Sequence, residues 1–328
     1  ATDDPAVQMA DYLPADWRSA LANHQGVLLS TFLTRDLARV HSNSRSDAPL
    51  SAERQAYPVV VLRAGLAALT TDYTTLAEDL ASHGYVVVGF DAPHRTALVV
   101  LPGGRVVTRP PSDDPETLTG AAQDRLVARL LETWTSDIAF AVDRLEQLNA
   151  SDVGLFSGRL DLAALGVVGH SLGGAAAAQF CHDDRRCRAG VDLDGALHGS
   201  VVREGLSQPF MFMLSDRGQA SDPESLRIVA DIQAVYDRLP PDRRLRLVIR
   251  GANHFSFSDQ LLVRSQTVMR LLEMTGVLGL EPRRGLAIAA EFLHRFFDVH
   301  LTGAPAASLE GPSPEFPELQ FDVGDRSR

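Results

Sequence analysis

Residues 169–173 read Gly169-His170-Ser171-Leu172-Gly173, a G-x-S-x-G pentapeptide that stands between an apolar run and a stretch of small residues. The apolar run covers residues 162–168, and alanines fill positions 175–178. This order predicts a buried strand, a sharp turn that carries Ser171, and a helix that packs closely against the strand. We expect a strained backbone at the serine. The flanking glycines are needed because a Cβ there would hold strand and helix apart.

The rest of the chain alternates apolar strand-like runs with helical stretches. We expect strands at 59–62, 85–90, 162–168, 190–193, 209–214 and 245–249, and helices at about 72–82, 120–149, 223–239, 258–275 and 284–301. Near-continuous apolar strands separated by helices predict a mostly parallel sheet that is covered on both faces. Together with the serine turn, this pattern predicts an α/β fold of the α/β-hydrolase type.

The domain organisation is expected to be simple. Residues 51–303 form the predicted catalytic domain, and residues 1–50 are expected to be irregular and helical, with no convincing hairpin. Residues 304–328 are interpreted as a proline-rich tail. An insertion at about 95–120 combines a hairpin with a loop rich in proline, serine and aspartate, and it either covers the site as a lid or is a solvated surface segment.

Composition excludes several classes of protein. The formal net charge is -11, which argues against nucleic acid and anionic membrane surfaces as partners. All 31 Lys+Arg residues are arginine, so Schiff-base chemistry, a Ser-Lys dyad and a P-loop lysine are excluded. No apolar run approaches the roughly 20 residues that a membrane span needs.

A serine hydroxyl attacks a substrate at neutral pH only when a base takes its proton. Of ten histidines, His254 fits this role because it follows the last predicted strand on a short loop. His94 and His198 lie on loops at strand ends and could line the pocket. His294 and His300 are six residues apart on one helix, so they do not share a face and are poor metal ligands. We predict neither a metal nor a cofactor, because no His/Cys/Glu cluster has ligand spacing.

The acid that would orient this histidine is less certain from the residues alone. Asp194 follows the fourth predicted strand and Asp216 follows the fifth, so both stand where sites in open α/β sheets gather. Asp192 is expected within its strand, on the side opposite Leu193, and is the third choice. Any of these could hold the imidazole in the correct tautomer.

An oxyanion site needs two backbone N–H groups aimed at the developing negative charge. We expect one from Leu172, directly after the serine, and one from Leu66, on the loop after the first clear strand. The substrate pocket is predicted to be an acyl or aryl pocket. Its predicted lining residues are Gly65, Leu69, His170, Leu197 and Phe255.

Cys181 and Cys187 lie six positions apart around a polar turn. This spacing favours a short disulfide at the end of the helix that follows the serine, with two buried thiols as the alternative. A disulfide would indicate a secreted or periplasmic protein.

Several segments together resemble the platelet-activating-factor acetylhydrolase-like α/β-hydrolases, specifically their bacterial esterase members. The resemblance spans about residues 57–303. It rests on residues 62–92, 169–175, Leu193-Asp194-Gly195, 254–259 and 296–301. It implies that the acid follows the strand after the serine helix, which favours Asp194 over Asp216, and that Leu66 is the first oxyanion donor. The chain departs from the family at Ala64, where a histidine is usual, and in the expected lack of N-terminal edge strands.

These observations predict a serine carboxylic-ester hydrolase that forms an acyl-enzyme through Ser171, His254 and Asp194. The expected substrates are small-molecule or lipid-like esters with short-to-medium acyl chains or small apolar groups. The alternatives are a polyester hydrolase with an open groove, an acyltransferase, and a binding module that has lost its catalysis.

Overall fold

The structure is a computed structural model that describes residues 9–217, 222–275, 278–309, 311 and 314–321. In its first half the elements are β1 (Met9–Asp11), α1 (Ala15–Gln25), α2 (Val27–Leu33), β2 (His41–Arg45), β3 (Tyr57–Arg63), α3 (Thr74–Ser82), β4 (Val86–Gly89), β5 (Leu98–Val100), β6 (Val106–Thr108) and α4 (Gly120–Ala150). In its second half they are β7 (Leu160–His170), α5 (Leu172–Asp183), β8 (Ala189–Leu193), α6 (Val201–Glu204), β9 (Phe210–Ser215), α7 (Pro223–Arg238), β10 (Arg244–Ile249), α8 (Gln266–Met274), α9 (Pro282–Phe297) and β11 (Leu319–Phe321).

The central sheet has seven strands in the order β11-β10-β9-β8-β7-β3-β4. All neighbouring pairs are parallel except β10 with β11, which is antiparallel. Every residue of β3 and β8 is buried, as expected for strands with helices on both faces. One face packs against α3 and α9, and the other against α4, α5 and α7. The predicted α/β-hydrolase fold is confirmed.

The N-terminal segment differs from its prediction. Residues 1–50 were expected to hold no hairpin, yet β1 and β2 pair antiparallel in a small separate sheet. The Glu78 carboxylate on α3 anchors β2 by accepting the Ser44 N–H at 2.8 Å. The strand sequence, residues 41–45, is polar, and hydrophobic alternation therefore gave no signal for it.

The C-terminal region also departs from the sequence reading. The expected tail contains β11, which completes the central sheet, and Phe316 is buried against Phe292 of α9. The helix expected at 258–275 is shorter, because Ser258 is extended and the helix α8 begins only after Ser265, whose side chain accepts the Val268 N–H. β11 forms because Phe316 and Leu319 are buried in the core, a long-range effect that local propensity does not encode.

The insertion at about 95–120 starts with the expected hairpin, β5 and β6. Gly103 and Gly104 form its turn, both at positive φ. Two short 3-10 turns, at Pro111–Asp113 and Pro115–Thr117, then lead into α4. This path brings the insertion to the carboxyl edge of the sheet.

Cys181, near the end of α5, and Cys187, in the turn after it, form the expected disulfide, and both side chains are fully buried. Among the helices that the structure describes, none combines the length and the apolarity that a bilayer crossing requires.

Candidate active site

Ser171 stands on a strained turn between β7 and α5. Its backbone has φ 57° and ψ −126°, a conformation that is costly for a residue with a Cβ. A Cβ on Gly169 would lie 2.0 Å from the carbonyl oxygen of Gly173, so only glycine lets the strand and the helix approach this closely. The Ser171 N–H donates to the carbonyl oxygen of Leu193 at 3.0 Å, which ties the turn to the next strand.

His254 begins a 3-10 turn that follows β10. The Asn253 side chain caps this turn by accepting the Phe255 N–H at 2.9 Å. On the other side, Asp216 accepts the Gly251 N–H through Oδ2 at 3.0 Å, and its own N–H donates to the Ala252 carbonyl. Asp216 therefore braces the backbone of the loop that carries His254.

The imidazole of His254 forms a hydrogen bond with Asp194, which follows β8. The distance from Nδ1 to Oδ2 is 2.8 Å, and the Asp194 side chain is almost fully buried while 40% of the His254 side chain is exposed. The other carboxylate oxygen of Asp194 accepts the N–H and the hydroxyl of Ser215 and approaches Arg217 at 3.2 Å. Asp194, like Ser171, has a positive φ, 53°.

The charge state of Asp194 follows from these partners. Burial alone would raise the pKa of this carboxyl. The hydrogen bond with His254, the charge of Arg217 and the Ser215 N–H outweigh burial and lower the pKa to about 2. Asp194 is therefore ionised at neutral pH and can hold a proton on Nδ1 of His254, which leaves Nε2 as the basic nitrogen.

Ser171 and His254 line the same cavity. Within the described part of the chain, no hydrogen bond joins the Ser171 hydroxyl to the imidazole. Such contacts are often long in a free enzyme and tighten when substrate binds.

Leu66 and Leu172, the two predicted oxyanion residues, both line this cavity. Leu172 is the first residue of α5, where helix N–H groups have no intrahelical acceptor. In the described ranges neither N–H donates to another residue, whereas the neighbouring Gly65 N–H donates to the Tyr73 hydroxyl at 3.0 Å.

The cavity has a volume of about 570 Å³. It is lined by Leu66, Ala67, Arg109, Asp114, Pro115, Glu116, Gln123, Asp124, Val127, Ser171, Leu172, Ala196, His198, Glu224, Arg227, His254 and Phe255. Four carboxylates and two guanidinium groups are among these residues, so the wall is more polar than the acyl or aryl pocket that the sequence predicted.

Of the predicted pocket residues, only Phe255 lines the cavity. Leu69 is buried against Tyr12 and Leu13, and Leu197 is buried in the core beside α5. Gly65 and His170 lie beneath the site: a Cβ on the glycine would be 3.3 Å from His170 Nδ1. None of these four residues is part of the cavity wall. For Leu69 and Leu197, apolar residue type near a strand end did not reveal which way the side chain points.

The lining residues that the sequence reasoning did not name come mainly from the insertion and the first turns of α4. The proline and aspartate content of that loop was the sequence feature that could have indicated these lining residues. His198 lines the cavity, one of two positions suggested for it, and His94 does not. Burial, together with the charge of Arg227, lowers the pKa of His198 to about 4, so its imidazole is neutral.

Asp79, His83 and His294 are grouped closely enough to be considered for a metal, although His294 was predicted to be a poor ligand. The rings of His83 and His294 stack at 3.6 Å with an interplanar angle of 18°. Lone pairs in two nearly parallel ring planes cannot both point at one ion, so binding would require a ring to turn. As it stands, His294 Nδ1 hydrogen-bonds Asp79 at 2.9 Å and links α9 to α3.

A parallel sheet with a strained serine turn at its carboxyl edge defines the α/β-hydrolase class. The chain belongs to the family described as platelet-activating factor acetylhydrolase, isoform II, whose sequence profile matches residues 18–101 and 143–304. The resemblance noted in the sequence is thereby confirmed, as is the predicted enzyme class, a hydrolase of ester bonds. The profile does not match residues 102–142, which contain much of the cavity wall.

Individual relatives agree with this assignment. The chain is 24% identical over 312 residues to a probable 1-alkyl-2-acetylglycerophosphocholine esterase of Arthroderma benhamiae, covering 90% of this chain and 73% of that protein. It is 26% identical over 249 residues to the platelet-activating factor acetylhydrolase of Bos taurus, covering 67% of this chain and 52% of that protein. It thus spans about half the length of the bovine relative.

A solved structure is also similar. The ferulic acid esterase from Streptomyces cinnamoneus superposes with a TM-score of 0.76 at 27% sequence identity, over 97% of this chain and 86% of that one.

Proposed function

We propose that this protein is a serine carboxylic-ester hydrolase in which Ser171 is the nucleophile, His254 the general base and Asp194 the residue that orients the base. The 2.8 Å hydrogen bond between His254 Nδ1 and the buried Asp194 carboxylate carries this proposal. A carboxylate held ionised against Nδ1 keeps Nε2 free to take a proton from a nearby hydroxyl.

The reaction proceeds in two steps through an acyl-enzyme. His254 takes the proton of Ser171 as the hydroxyl attacks the ester carbonyl carbon, and a tetrahedral intermediate forms. The C–O bond to the alcohol then breaks, and His254 Nε2 gives its proton to the departing oxygen. Water attacks the acyl-enzyme by the same route, releases the acid and restores Ser171.

The Leu66 and Leu172 N–H groups would stabilise the oxyanion of each intermediate. Both residues line the cavity, and neither N–H has an acceptor among the described residues. Removal of one such donor typically costs about 3 kcal/mol in the barrier. The donor on the loop that carries Leu66 is therefore expected to contribute on the order of 100-fold to the rate.

The cavity supports small esters as substrates. The insertion and α4 contribute one wall of a cavity of about 570 Å³, a volume that suits a small ester. Leu66, Val127 and Phe255 supply apolar surface for a short-to-medium acyl chain or an aromatic group. The structural relative named as a ferulic acid esterase adds aromatic acid esters to the substrates to be tested.

The buried disulfide supports a location outside a reducing cytosol. Titration of free thiols in denatured, unreduced protein purified from its native compartment would detect none. Two reactive thiols would remove this argument for export.

The experiment that tests the function is labelling with a fluorophosphonate probe, which reacts with an activated serine. We expect labelling of the wild type and none of Ser171→Ala, together with a fall in ester hydrolysis of at least about 10⁴-fold. A panel of p-nitrophenyl esters of increasing chain length, a feruloyl ester and a polyester film would define the substrate, and added alcohol would reveal acyl transfer. An unlabelled, inactive wild type would indicate a binding module instead.

A further inference from the structure

A buried chain of three hydrogen bonds lies beneath the cavity and links the loop of Leu66, the serine turn and the loop of His254. The Gly65 N–H donates to the Tyr73 hydroxyl at 3.0 Å, and this hydroxyl lies 2.8 Å from His170 Nδ1. His170 Nε2 in turn lies 2.8 Å from the carbonyl oxygen of His254. Tyr73 and His170 are both buried, and neither lines the cavity.

The direction of every bond in this chain is fixed by its two ends. A backbone N–H can only donate and a carbonyl can only accept. Because the His254 carbonyl can only accept, His170 carries a proton on Nε2 and donates it there. In a neutral ring Nδ1 then has no proton, so it accepts the proton of the Tyr73 hydroxyl, whose oxygen accepts the Gly65 N–H. The network works only with a neutral His170 in this one tautomer.

The surroundings favour that protonation state. Burial and the neighbouring His254 lower the pKa of His170 to about 3, so the His170 ring is neutral at neutral pH. Burial raises the pKa of Tyr73, which therefore keeps its proton. The ring centroids of His170 and His254 lie 4.5 Å apart, so the His170 ring also packs against the His254 imidazole.

We propose that Tyr73 and His170 are positioning residues that hold the Leu66 N–H and the His254 imidazole in register with Ser171. This inference rests on the proposed function. Each residue acts through a neighbour: Tyr73 fixes the residue before Leu66, and His170 fixes the backbone of His254. Ala64 stands where the resembling family usually has a histidine, and the Tyr73 hydroxyl braces that loop from a different element, the turn Thr70–Tyr73.

Loss of the hydroxyl would leave the Gly65 N–H and His170 Nδ1 buried without partners, which the loop can relieve only by moving. An oxyanion donor displaced by about 1 Å can cost on the order of 100-fold in rate. The effect should fall on kcat, because the ground-state ester does not use this donor fully.

The test compares Tyr73→Phe with a matched control, Tyr85→Phe. Tyr85 is also buried and donates its hydroxyl proton to Asp298 Oδ1 at 2.7 Å, but it does not line the cavity. For Tyr73→Phe we expect kcat to fall about 10- to 100-fold with KM within about threefold. For Tyr85→Phe we expect kcat within about twofold of the wild type, with a comparable change in Tm for both variants.

His170 is tested with a conservative and a disruptive variant. Glutamine has an oxygen that can accept from Tyr73 and an N–H that can donate to His254, so His170→Gln should retain most of kcat. His170→Ala should lose at least as much as Tyr73→Phe. The kcat of the double variant Tyr73→Phe/His170→Ala should be no lower than that of the worse single variant, because either substitution alone already breaks the same hydrogen-bond network.

A readout that needs no activity separates this inference from the proposed function. Nitrogen-15 NMR of the wild type should show His170 as the neutral Nε2–H tautomer from pH 5 to 9, with the Nδ1 signal shifted in Tyr73→Phe. A protonated or Nδ1–H form of His170 would overturn the inference, as would kcat values for Tyr73→Phe equal to those of Tyr85→Phe. Failure of fluorophosphonate labelling in the wild type would instead refute the proposed function.

Discussion

The inner and outer sides of the cavity are built by different means. The inner side, which carries Ser171, Asp194 and His254, is held by strained backbone and buried hydrogen bonds and lies within the segments that match the family. The outer wall comes largely from residues 102–142, which the family profile does not match. Its charged side chains, such as Arg109 paired with Asp114, are partly exposed.

From this difference we expect the inner side to set the chemistry and the outer wall to set the choice of ester. A single substitution of a strained or buried residue would disturb the positions of the other groups on the inner side. We therefore expect the inner side to support one type of reaction. Exposed charges contribute little to stability and can vary, so the outer wall can be altered to suit different esters.

The largest effect is expected at the carboxylate that contacts His254. Asp194→Asn should lower kcat by about 10⁴-fold, because an amide cannot stabilise the imidazolium and favours the wrong tautomer. Asp216→Asn is the control. It keeps an oxygen that can accept the Gly251 N–H and should cost less than about tenfold. The reverse ranking in steady-state kinetics would move the acid to Asp216.

The next effect concerns Asp192, buried directly beneath the serine turn. Its Oδ1 accepts the Gly195 N–H at 2.8 Å. Burial raises the pKa of this carboxyl to about 8, with Asp194 raising it further and Arg217 opposing. Because the folded-state pKa lies above the unfolded one, stability is full near pH 4 and falls as pH rises towards 8, by up to about 1.4 kcal/mol per pH unit.

Asp192→Asn should remove this slope and make the protein more stable than the wild type at pH 8. Urea denaturation at pH 5 and at pH 8 measures both. An unchanged difference between the two pH values in the variant would show that Asp192 does not titrate as described.

The smallest effect is expected at the outer wall. Asp124 lines the cavity with three other carboxylates, so anionic esters should be disfavoured. Asp124→Asn should raise kcat/KM for a succinate monoester about 3- to 10-fold relative to a neutral ester of equal length. Asp143→Asn changes the same charge on the same helix outside the cavity, where it pairs with Arg186, and should leave the ratio unaltered.

Should both α4 variants shift the ratio equally, the overall charge of the protein would account for the preference, and the division between inner and outer sides would fail.

The sequence carried different amounts of information about the two sides. The turn around Ser171 was readable because it is local: glycine, serine and small residues within ten positions encode strand, turn and helix. The outer wall was hardly readable. Leu69 and Leu197 were chosen for their apolar character and proved to face the core, whereas charged residues of the insertion line the cavity.

The order of residues along the chain was enough to predict the α/β-hydrolase fold, the family and the positions of Ser171 and His254 at ends of predicted strands. The contact of His254 with Asp194 instead of Asp216, and the pairing of β11 with β10, became visible only in three dimensions. The same is true of the hydrogen bond between Tyr73 and His170, which are 97 positions apart. The reason is physical: backbone pattern is fixed by neighbours along the chain, but a buried hydrogen bond depends on where distant segments meet in space.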